Sequence, residues 1–600
     1  MRADTLTLKE LFQRDVRYVV PTFQRPYVWT QEDQWEPLWD DVRNVAERYL
    51  DELAAVDGKR VVAAERAASH FMGAVVLQQQ PTGAAELEVR NVIDGQQRLT
   101  TAQLLMDAGQ AALSDVGALA EADRMLRLVE NTFASGDEKL KLWPTLGDQG
   151  AFRAVMTTPI APSEFVESRI AQAHDFFRLQ VREWIESSAD VEERTLKAHA
   201  LETALYALLQ FVVIDLSTTD DAFTIFETLN ARGTPLLASD LVKNYVLQTA
   251  SAEGLNPDEL YATEWQVLDE PWWRAEIGQG RVSRPRVDVF LNYWLVMRLG
   301  TEVPPTNVFP VFKEYVEDGN KVVDVARDVR HVASVYRSFD EVDEYSAFGT
   351  NLYRWRTMDA GVATPILLWL ASQPPEALPE ADRLETIRAV ESFLVRRMVC
   401  RMTTKDYNNL FLELLKRLHS AEPGAVPATA VDYLSDQTAE SRVWPDDEAV
   451  IQAVLDLPLY RLLTRGRLRM VLEAIEDALR TPMAEETHCQ RRVLTIEHVL
   501  PQSWSEHWEA PVAEDQLQAA FERERLLHSL GNLTLVNGRL NPSLSNDPWV
   551  KKRKTLAAHT TLHLNKGLLD DFAEVWDEST IRERGRTLAA KLVRIWSRPS

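Results

Sequence analysis

The sequence predicts a multidomain protein that is α/β in its N-terminal part and mainly α-helical after it. In the first 250 residues, short apolar runs bounded by turn residues alternate with segments of helical periodicity. Between residues 251 and 485, helical periodicity broken by Pro-rich joints dominates. A chain of 600 residues is also too long for one hydrophobic core. We therefore expect three domains, at residues 1–250, 251–485 and 486–600.

Two strand–helix units are predicted in the N-terminal part. Residues 73–79 and 87–93 have the composition of strands and are joined by a Pro-Thr-Gly turn. The apolar period changes after Asp94-Gly95, which predicts a helix that begins there. Residues 211–216 form a second apolar strand, and a helix over residues 222–229 follows it.

The composition excludes several classes of protein. No apolar run approaches the roughly 18 residues of a membrane span, and the N-terminus lacks the apolar stretch of a signal peptide. We therefore expect a cytoplasmic protein with no membrane partner. Cys400 and Cys489 are the only cysteines, which excludes a disulfide framework and a Cys-x-x-Cys zinc site.

The charge is unevenly distributed along the chain. The formal net charge is −25, which argues against a protein that coats nucleic acid. The last 113 residues, however, hold 16 Lys plus Arg against 14 Asp plus Glu, and six of the eleven histidines. This enrichment makes the C-terminal part the place to look for chemistry.

The C-terminal part contains residues suited to phosphodiester hydrolysis. Such a reaction needs a base for water, a hard cation at the phosphate and a frame that holds both. Glu497 is a hard oxygen ligand suited to Mg²⁺ or Mn²⁺, and His498 has an ordinary near-neutral pKa suited to a general base. Adjacent side chains on a strand point to opposite faces, so both serve one site only if the backbone turns or bulges. A basic run follows, which either contacts DNA or forms a solvated helix face: Lys551, Lys552, Arg553 and Lys554.

The order Glu-His-x-x-Pro, then Gly-Asn-Leu-Thr-Leu, then an Asn followed by a helix resembles the HNH, or ββα-metal, nucleases. It resembles in particular the C-terminal nuclease domain of GmrSD-type restriction enzymes. The resemblance implies that His498 activates water and that Asn532 orients His498. It also implies that Glu497 and Asn541 hold the metal ion, with Asn546 as an alternative to Asn541. The family often has Asp where this chain has Glu497, and a neutral Asn binds a cation less strongly than a carboxylate does.

The N-terminal part contains a candidate anion site at Asp94-Gly-Gln-Gln-Arg98. The glycine-rich phosphate motifs Gly-x-x-x-x-Gly-Lys-Ser/Thr and Gly-x-Gly-x-x-Gly are absent from the sequence. The segment lies between a predicted strand and a predicted helix, so free backbone N–H groups, two amides and a guanidinium meet at a helix N-terminus. A plain structural turn is the alternative, and Gly95 suits both.

Four longer segments resemble the N-terminal domain of GmrSD-type and SspE-type antiphage proteins: residues 21–29, 71–73, 93–100 and 226–244. That domain is similar to the ParB/sulfiredoxin fold, and in the family it binds and hydrolyses nucleoside triphosphates. The resemblance implies a nucleotide pocket lined by Gln24, Arg25, Asp94, Gly95, Gln96, Gln97 and Arg98. It also implies adjoining residues Asn230, Arg232, Asp240 and Lys243.

The family likeness, together with the departures from it at Glu497 and Asn541, leaves two competing functions. The first is a nucleotide-regulated, modification-sensing DNA endonuclease of antiphage defence, with nucleoside triphosphatase activity. The second is a ParB-like, nucleotide-switched DNA-binding protein with a degenerate nuclease domain. The sequence leaves open the nucleotide (GTP, ATP, CTP or UTP) and the DNA modification (glucosylated hydroxymethylcytosine or phosphorothioate). It also leaves open whether the chain acts as a monomer or a homo-oligomer.

Overall fold

The computed structural model describes residues 2–21, 24, 26–83, 86–158, 163–217, 237–279, 282–481, 486–506, 508 and 516–599. The chain divides into two compact units, residues 1–266 and 267–600. It is a mixed α/β protein with more helix than strand, which confirms the predicted class at this level. None of the described helices combines the length and the apolar character that crossing a bilayer requires.

The first unit is built around a six-stranded mixed sheet with the strand order β1-β6-β3-β4-β2-β5. Its strands are β1 Arg2–Thr7, β2 Val16–Val19, β3 His70–Gln79, β4 Glu88–Asp94, β5 Leu142–Trp143 and β6 Leu209–Leu216. β3 pairs antiparallel with β4 and parallel with β6. The edge strand β1, which the sequence did not predict, pairs antiparallel with β6 from the other end of the unit.

Helices surround this sheet. They are α1 Leu8–Phe12, α2 Glu36–Ala55, α3 Arg60–Arg66, α4 Gln96–Asp115, α5 Leu119–Val129, α6 Gln149–Thr157, α7 Arg169–Glu186, α8 Val191–Thr203, α9 Ala238–Ala252 and α10 Pro257–Leu260. α4 is buried along most of its length because it packs against both α5 and α7. Its N-terminus therefore has a fixed position at the end of β4.

Most of the predicted local structure of this unit is confirmed. The two strands predicted at residues 73–79 and 87–93 are β3 and β4, and the strand predicted at 211–216 is β6. The helix expected after Asp94-Gly95 begins at Gln96. The helix predicted over residues 222–229 lies outside the described residues.

The second unit is mostly helical. Its helices are α11 Pro271–Arg274, α12 Arg286–Leu299, α13 Val308–Glu317, α14 Val322–Ser338, α15 Ala347–Met358, α16 Thr364–Ser372, α17 Glu380–Val399, α18 Tyr407–His419, α19 Val426–Ser435, α20 Asp447–Asp456, α21 Leu459–Leu462, α22 Arg465–Leu479, α23 Gln516–Leu527, α24 Leu540–Leu544, α25 Trp549–His559, α26 His563–Asp571 and α27 Glu578–Ile595. Its strands form two antiparallel pairs, β7 Glu276–Gln279 with β8 Val282–Pro285, and β9 Thr495–His498 with β10 Leu533–Val536.

A tight turn leads into β10 and packs directly against α27. A Cβ atom added to Gly531 would lie 2.2 Å from the carbonyl oxygen of Ile581, so only glycine fits there. Arg584 of α27 is buried, and its Nη1 donates to the carbonyl oxygens of Gly531 (2.7 Å) and Leu533 (2.8 Å). α27 therefore holds the backbone on both sides of Asn532.

Replacing Gly531 should be costly because the backbone of α27 would have to move away from the new methyl group. We expect Gly531→Ala to destabilise the second unit by about 1–3 kcal/mol. Gly538→Ala is the matched control, since a Cβ atom there meets nothing within 4 Å, and its effect should stay below about 0.5 kcal/mol. Thermal unfolding of the full chain measures both, and equal midpoints for the two variants would contradict the packing described here.

Candidate functional site

The β9–β10 pair carries Glu497 and His498 in a regular register. His498 lies opposite Leu533 and Glu497 lies opposite Thr534, with no irregularity between the four residue pairs. Side chains alternate between the two faces of such a strand. The bulge that would turn Glu497 and His498 toward one side is thus absent from β9 in the described structure.

The ring of His498 is buried, with 6% of the residue exposed. Its Nε2 lies 3.3 Å from Nδ1 of His528, and the ring of Tyr460 meets it edge-on at 4.3 Å between centroids. Burial, together with the nearby His528, Lys552 and Arg465, lowers the pKa of His498 to about 3. The sequence had suggested an ordinary near-neutral pKa. In the structure His498 is a neutral ring, and its surroundings weaken it as a base.

Asn532 is buried and its side chain makes four hydrogen bonds, none of them to the His498 ring. Its Nδ2 donates to the carbonyl oxygens of Leu500 and Leu527, at 2.9 Å each. Its Oδ1 accepts from the backbone N–H of Leu500 (2.8 Å) and from Nε1 of Trp576 (3.0 Å). Asn532 therefore fixes the backbone just after His498, and any effect on the ring is indirect.

Glu497 is paired with Lys552 inside the protein. Nζ of Lys552 donates to Oε1 of Glu497 (2.7 Å) and to the carbonyl oxygen of His498 (2.8 Å), and Lys552 is 1% exposed. Burial raises the pKa of Glu497, an effect that Lys552 opposes. Burial lowers the pKa of Lys552, and Glu497 opposes that shift. Burial thus disfavours the charged form of both groups, and each group stabilises the charged form of the other.

The basic run of α25 is divided between the interior and the surface. Lys551 and Lys554 are exposed, Arg553 is half-buried, and Lys552 is buried. Of these four predicted DNA contacts, Lys552 faces Glu497 rather than solvent. Lys551 forms an exposed ion pair with Asp547 at 2.8 Å.

Asn541 reaches the same face of β9 as Glu497. Its Nδ2 donates to Oγ1 of Thr495 (2.9 Å), and Thr495 is two residues before Glu497. The side-chain oxygen of Asn541 accepts no hydrogen bond from any residue that the structure describes. One carboxylate and one amide oxygen suit a hard cation that keeps most of its water, provided that Glu497 faces the cation as well as Lys552. This donor set fits Mg²⁺ or Mn²⁺ with few protein ligands.

One other group of candidate metal ligands occurs among the described residues. Ligand atoms of Glu121, His199 and Glu202 lie within 4.8 Å of one another. Arg124 forms ion pairs with both of these carboxylates. The guanidinium therefore already neutralises the negative charge that would attract a metal ion.

Several residues around His498 were not identified from the sequence. They are Tyr460, Arg461, Arg465 and His528, of which the first three come from α21 and the start of α22. The guanidinium of Arg465 stacks over the Tyr460 ring at 3.4 Å, and the backbone N–H of Tyr460 donates to the carbonyl oxygen of His528. The contact between Tyr460 and His528 joins segments that are distant in sequence, and apolar periodicity does not indicate such a contact.

In the first unit, the turn before α4 has the conformation that the anion-site prediction required. Gly95 is the N-cap with φ 86°, and a Cβ atom there would lie 2.6 Å from Cγ1 of Val75. No side chain caps the helix, so its first backbone N–H groups are available to a ligand. Arg98 lies in the first turn, and its Nη1 donates to the carbonyl oxygen of Ala74 (3.0 Å).

Two of the three predicted pocket glutamines, Gln24 and Gln97, hold backbone. Nε2 of Gln24 donates to the carbonyl oxygens of Val92 and Ile93 at the end of β4. Gln97 accepts from the backbone N–H of Val28 (2.9 Å) and donates to the carbonyl oxygen of Pro26 (3.0 Å). The two glutamines thus tie the segment around residue 26 to the start of α4.

The remaining predicted pocket residues fall into two groups. Asp94 and Gln96 are half-buried, and neither side chain forms a hydrogen bond with any residue that the structure describes. Arg25, Asn230 and Arg232 lie outside the described residues, whereas Asp240 and Lys243 are buried in α9.

Comparison with protein families gives two matches. The model of the GmrSD restriction endonuclease N-terminal domain matches residues 8–247, and the model of the GmrSD restriction endonuclease C-terminal domain matches residues 444–591. Together the matches cover nearly two thirds of the chain. The second match includes Tyr460 as well as His498. No curated protein matches the chain.

Removing Lys552 would leave Glu497 as an unpaired buried charge. We expect Lys552→Met to destabilise the second unit by about 3–5 kcal/mol. Lys551→Met is the matched control, since its exposed ion pair should contribute at most about 1 kcal/mol. Calorimetric unfolding of both variants measures the difference. If Lys552→Met unfolds at the same temperature as Lys551→Met, Lys552 and Glu497 do not form the buried pair described here.

Proposed function

Because the chain belongs to the GmrSD restriction endonuclease family, we propose that its C-terminal site hydrolyses phosphodiester bonds of DNA with His498 as the general base. The matched domains are those of a restriction endonuclease, and DNA is the partner that such domains imply. The observation that carries the proposal is the position of His498 at the end of β9, where His528 and Tyr460 contact its ring and Asn532 holds the backbone that follows it.

The proposed reaction follows from these residues. His498 takes a proton from a water molecule, and the resulting hydroxide attacks the phosphorus atom. The bond to the 3′-oxygen breaks and the leaving oxygen takes a proton from solvent water, which gives a 5′-phosphate and a 3′-hydroxyl. Asn532 forms hydrogen bonds with the backbone of Leu500 and thereby fixes the end of β9, which carries His498.

We propose that Glu497 and Asn541 hold one Mg²⁺ or Mn²⁺ ion. Such an ion, when bound, would neutralise charge at the scissile phosphate. The support is that Asn541 and Glu497 lie toward one face of β9. We propose that the DNA backbone contacts Lys551, Arg553 and Lys554, because Lys551 and Lys554 are exposed and Arg553 is half-buried.

A second function is supported by two specific observations. Glu497 already faces a buried ammonium group, and Tyr460 covers much of the His498 ring. Both features are compatible with a degenerate nuclease domain that binds DNA without cutting it. In that case the chain would be a nucleotide-switched DNA-binding protein.

For the first unit we propose a ParB/sulfiredoxin-like domain that binds and hydrolyses a nucleoside triphosphate and so regulates the nuclease. The open N-terminus of α4, the left-handed Gly95 and the guanidinium of Arg98 support an anion site there. Asp94 and Gln96 would contact the nucleotide directly, whereas Gln24 and Gln97 would shape the pocket. Arg25 is proposed as a further contact.

We propose that the DNA carries a modification, either glucosylated hydroxymethylcytosine or phosphorothioate, and that the C-terminal domain has the ββα-metal fold. The order of β9, β10 and the helices after them supports this fold.

The nucleotide (GTP, ATP, CTP or UTP) would change the activity of the nuclease through a shift between two states of the protein.

Plasmid nicking tests the proposal. We expect wild type to nick plasmid with Mg²⁺ or Mn²⁺, and His498→Ala to lose at least about 100-fold in rate, because the general base is gone. His559→Ala, which removes an exposed histidine from the end of α25, is the matched control and should cut at the wild-type rate.

The same assay separates the two functions. It is run with plain and modified plasmid, with and without each nucleoside triphosphate, and a thermal midpoint shows that each variant is folded. If wild type binds DNA tightly but no condition produces cutting, the nuclease proposal fails and the DNA-binding function is favoured.

A further inference from the structure

His528 is the one side chain, among the described residues, that forms a hydrogen bond with the His498 ring. Nε2 of His498 and Nδ1 of His528 are 3.3 Å apart, and the two ring planes are nearly perpendicular, at 89°. His528 is 2% exposed and follows the last turn of α23. The resemblance to known nucleases assigned the orienting role to Asn532 and gave none to His528.

The surroundings of His528 determine which nitrogen of each ring carries the proton. Two neutral imidazoles form a hydrogen bond only if one contributes an N–H group and the other a lone pair. The outer nitrogen of His528, Nε2, lies 3.8 Å from Oε1 of Glu524, which can only accept while it is ionised. This favours the proton of His528 on Nε2 and leaves a lone pair on its Nδ1.

The tautomer of His528 determines which nitrogen of His498 carries the proton. With a lone pair on Nδ1 of His528, the hydrogen bond requires an N–H group on Nε2 of His498. Nδ1 of His498 then keeps its lone pair, and it makes no hydrogen bond with any described residue. The nitrogen that faces no partner is thus the one able to accept a proton from water.

Other contacts hold His528 in this position. The backbone N–H of Tyr460 donates to the carbonyl oxygen of His528 at 3.0 Å, and the Tyr460 ring stacks on the His528 ring at 5.7 Å between centroids. Glu524 also forms an ion pair with Arg461 at 2.6 Å, which holds the carboxylate beside the His528 ring. His528 is therefore held through its backbone and its ring face.

We propose that His528 is a positioning residue for the reaction, which holds His498 in the tautomer whose Nδ1 lone pair accepts the proton of water. The carboxylate of Glu524, 3.8 Å from Nε2 of His528, favours the proton on that nitrogen electrostatically. The inference rests on the proposed function of His498. It assigns the ring contact to His528 and leaves to Asn532 the backbone contact that the structure describes.

The test compares two substitutions of His528. The side-chain oxygen of Asn can occupy the position of Nδ1 and accept the same hydrogen bond, whereas Leu fills the space without an acceptor. We expect His528→Asn to keep the nicking kcat within about threefold of wild type, and His528→Leu to lower kcat about 10- to 100-fold with little change in KM. His559→Leu, at an exposed histidine of the same unit, is the matched control and should leave kcat unchanged.

A spectroscopic readout makes the test independent of cleavage. In full chain with ¹⁵N-labelled histidine, the signals of His498 are assigned by their absence in His498→Ala. We expect protonated Nε2 and unprotonated Nδ1 in wild type and His528→Asn, and a mixture of tautomers in His528→Leu. Thermal midpoints show whether each variant is folded.

Three results would overturn the proposal. These are a wild-type ring protonated on Nδ1, a His528→Leu variant as active as wild type, and a His528→Asn variant as impaired as His528→Leu. If wild type does not nick DNA at all, the proposed nuclease function fails. The nitrogen signals of His498 still report in that case whether His528 sets the tautomer.

Discussion

The C-terminal site depends on one buried side chain, the amide of Asn532. Its four hydrogen bonds join the backbone after β9, the turn before β10 and the indole of Trp576. Leaving one of these buried donors or acceptors without its partner would cost about 1–3 kcal/mol of folding free energy. Each of the four hydrogen bonds therefore stabilises the observed position of the Asn532 amide. The packing of Gly531 against α27 and the buried Arg584 fix the turn from the other side. The position of the backbone around His498 therefore depends on two sets of contacts, those of the Asn532 amide and those of α27.

Strand β9 then separates two polar environments. Glu497 faces a buried ammonium group, which compensates its charge and also contacts the carbonyl oxygen of His498. His498 faces the imidazole of His528 and the ring of Tyr460, and it stays neutral. In the proposed reaction Glu497 would hold a cation in competition with Lys552, and His498 would take the proton of water. The regular pairing of β9 with β10 keeps these two environments a fixed distance apart.

Local features of the fold could be predicted from the sequence, and long-range contacts could not. The apolar runs and the Pro-Thr-Gly turn predict β3 and β4, because these signals depend on neighbouring residues, and the motif order indicates His498 as the proposed base. The pairing of His498 with His528 depends on how β9 packs against the end of α23, which no local pattern encodes. The burial of Lys552 did have a signal, since Trp549, Lys552 and Leu556 are spaced to share one helical face and all three are buried. The cluster of basic residues obscured it.

We propose that His498 activates a water molecule that attacks phosphorus, with departure of the 3′-oxygen. Cleavage in water enriched in oxygen-18, followed by mass spectrometry of the product ends, tests this reaction. We expect a single labelled oxygen on each 5′-phosphate and none on the 3′-hydroxyl, and His498→Ala should form labelled product at least about 100-fold more slowly. Label on a 3′-phosphate, or labelled product formed at the same rate without His498, would contradict it.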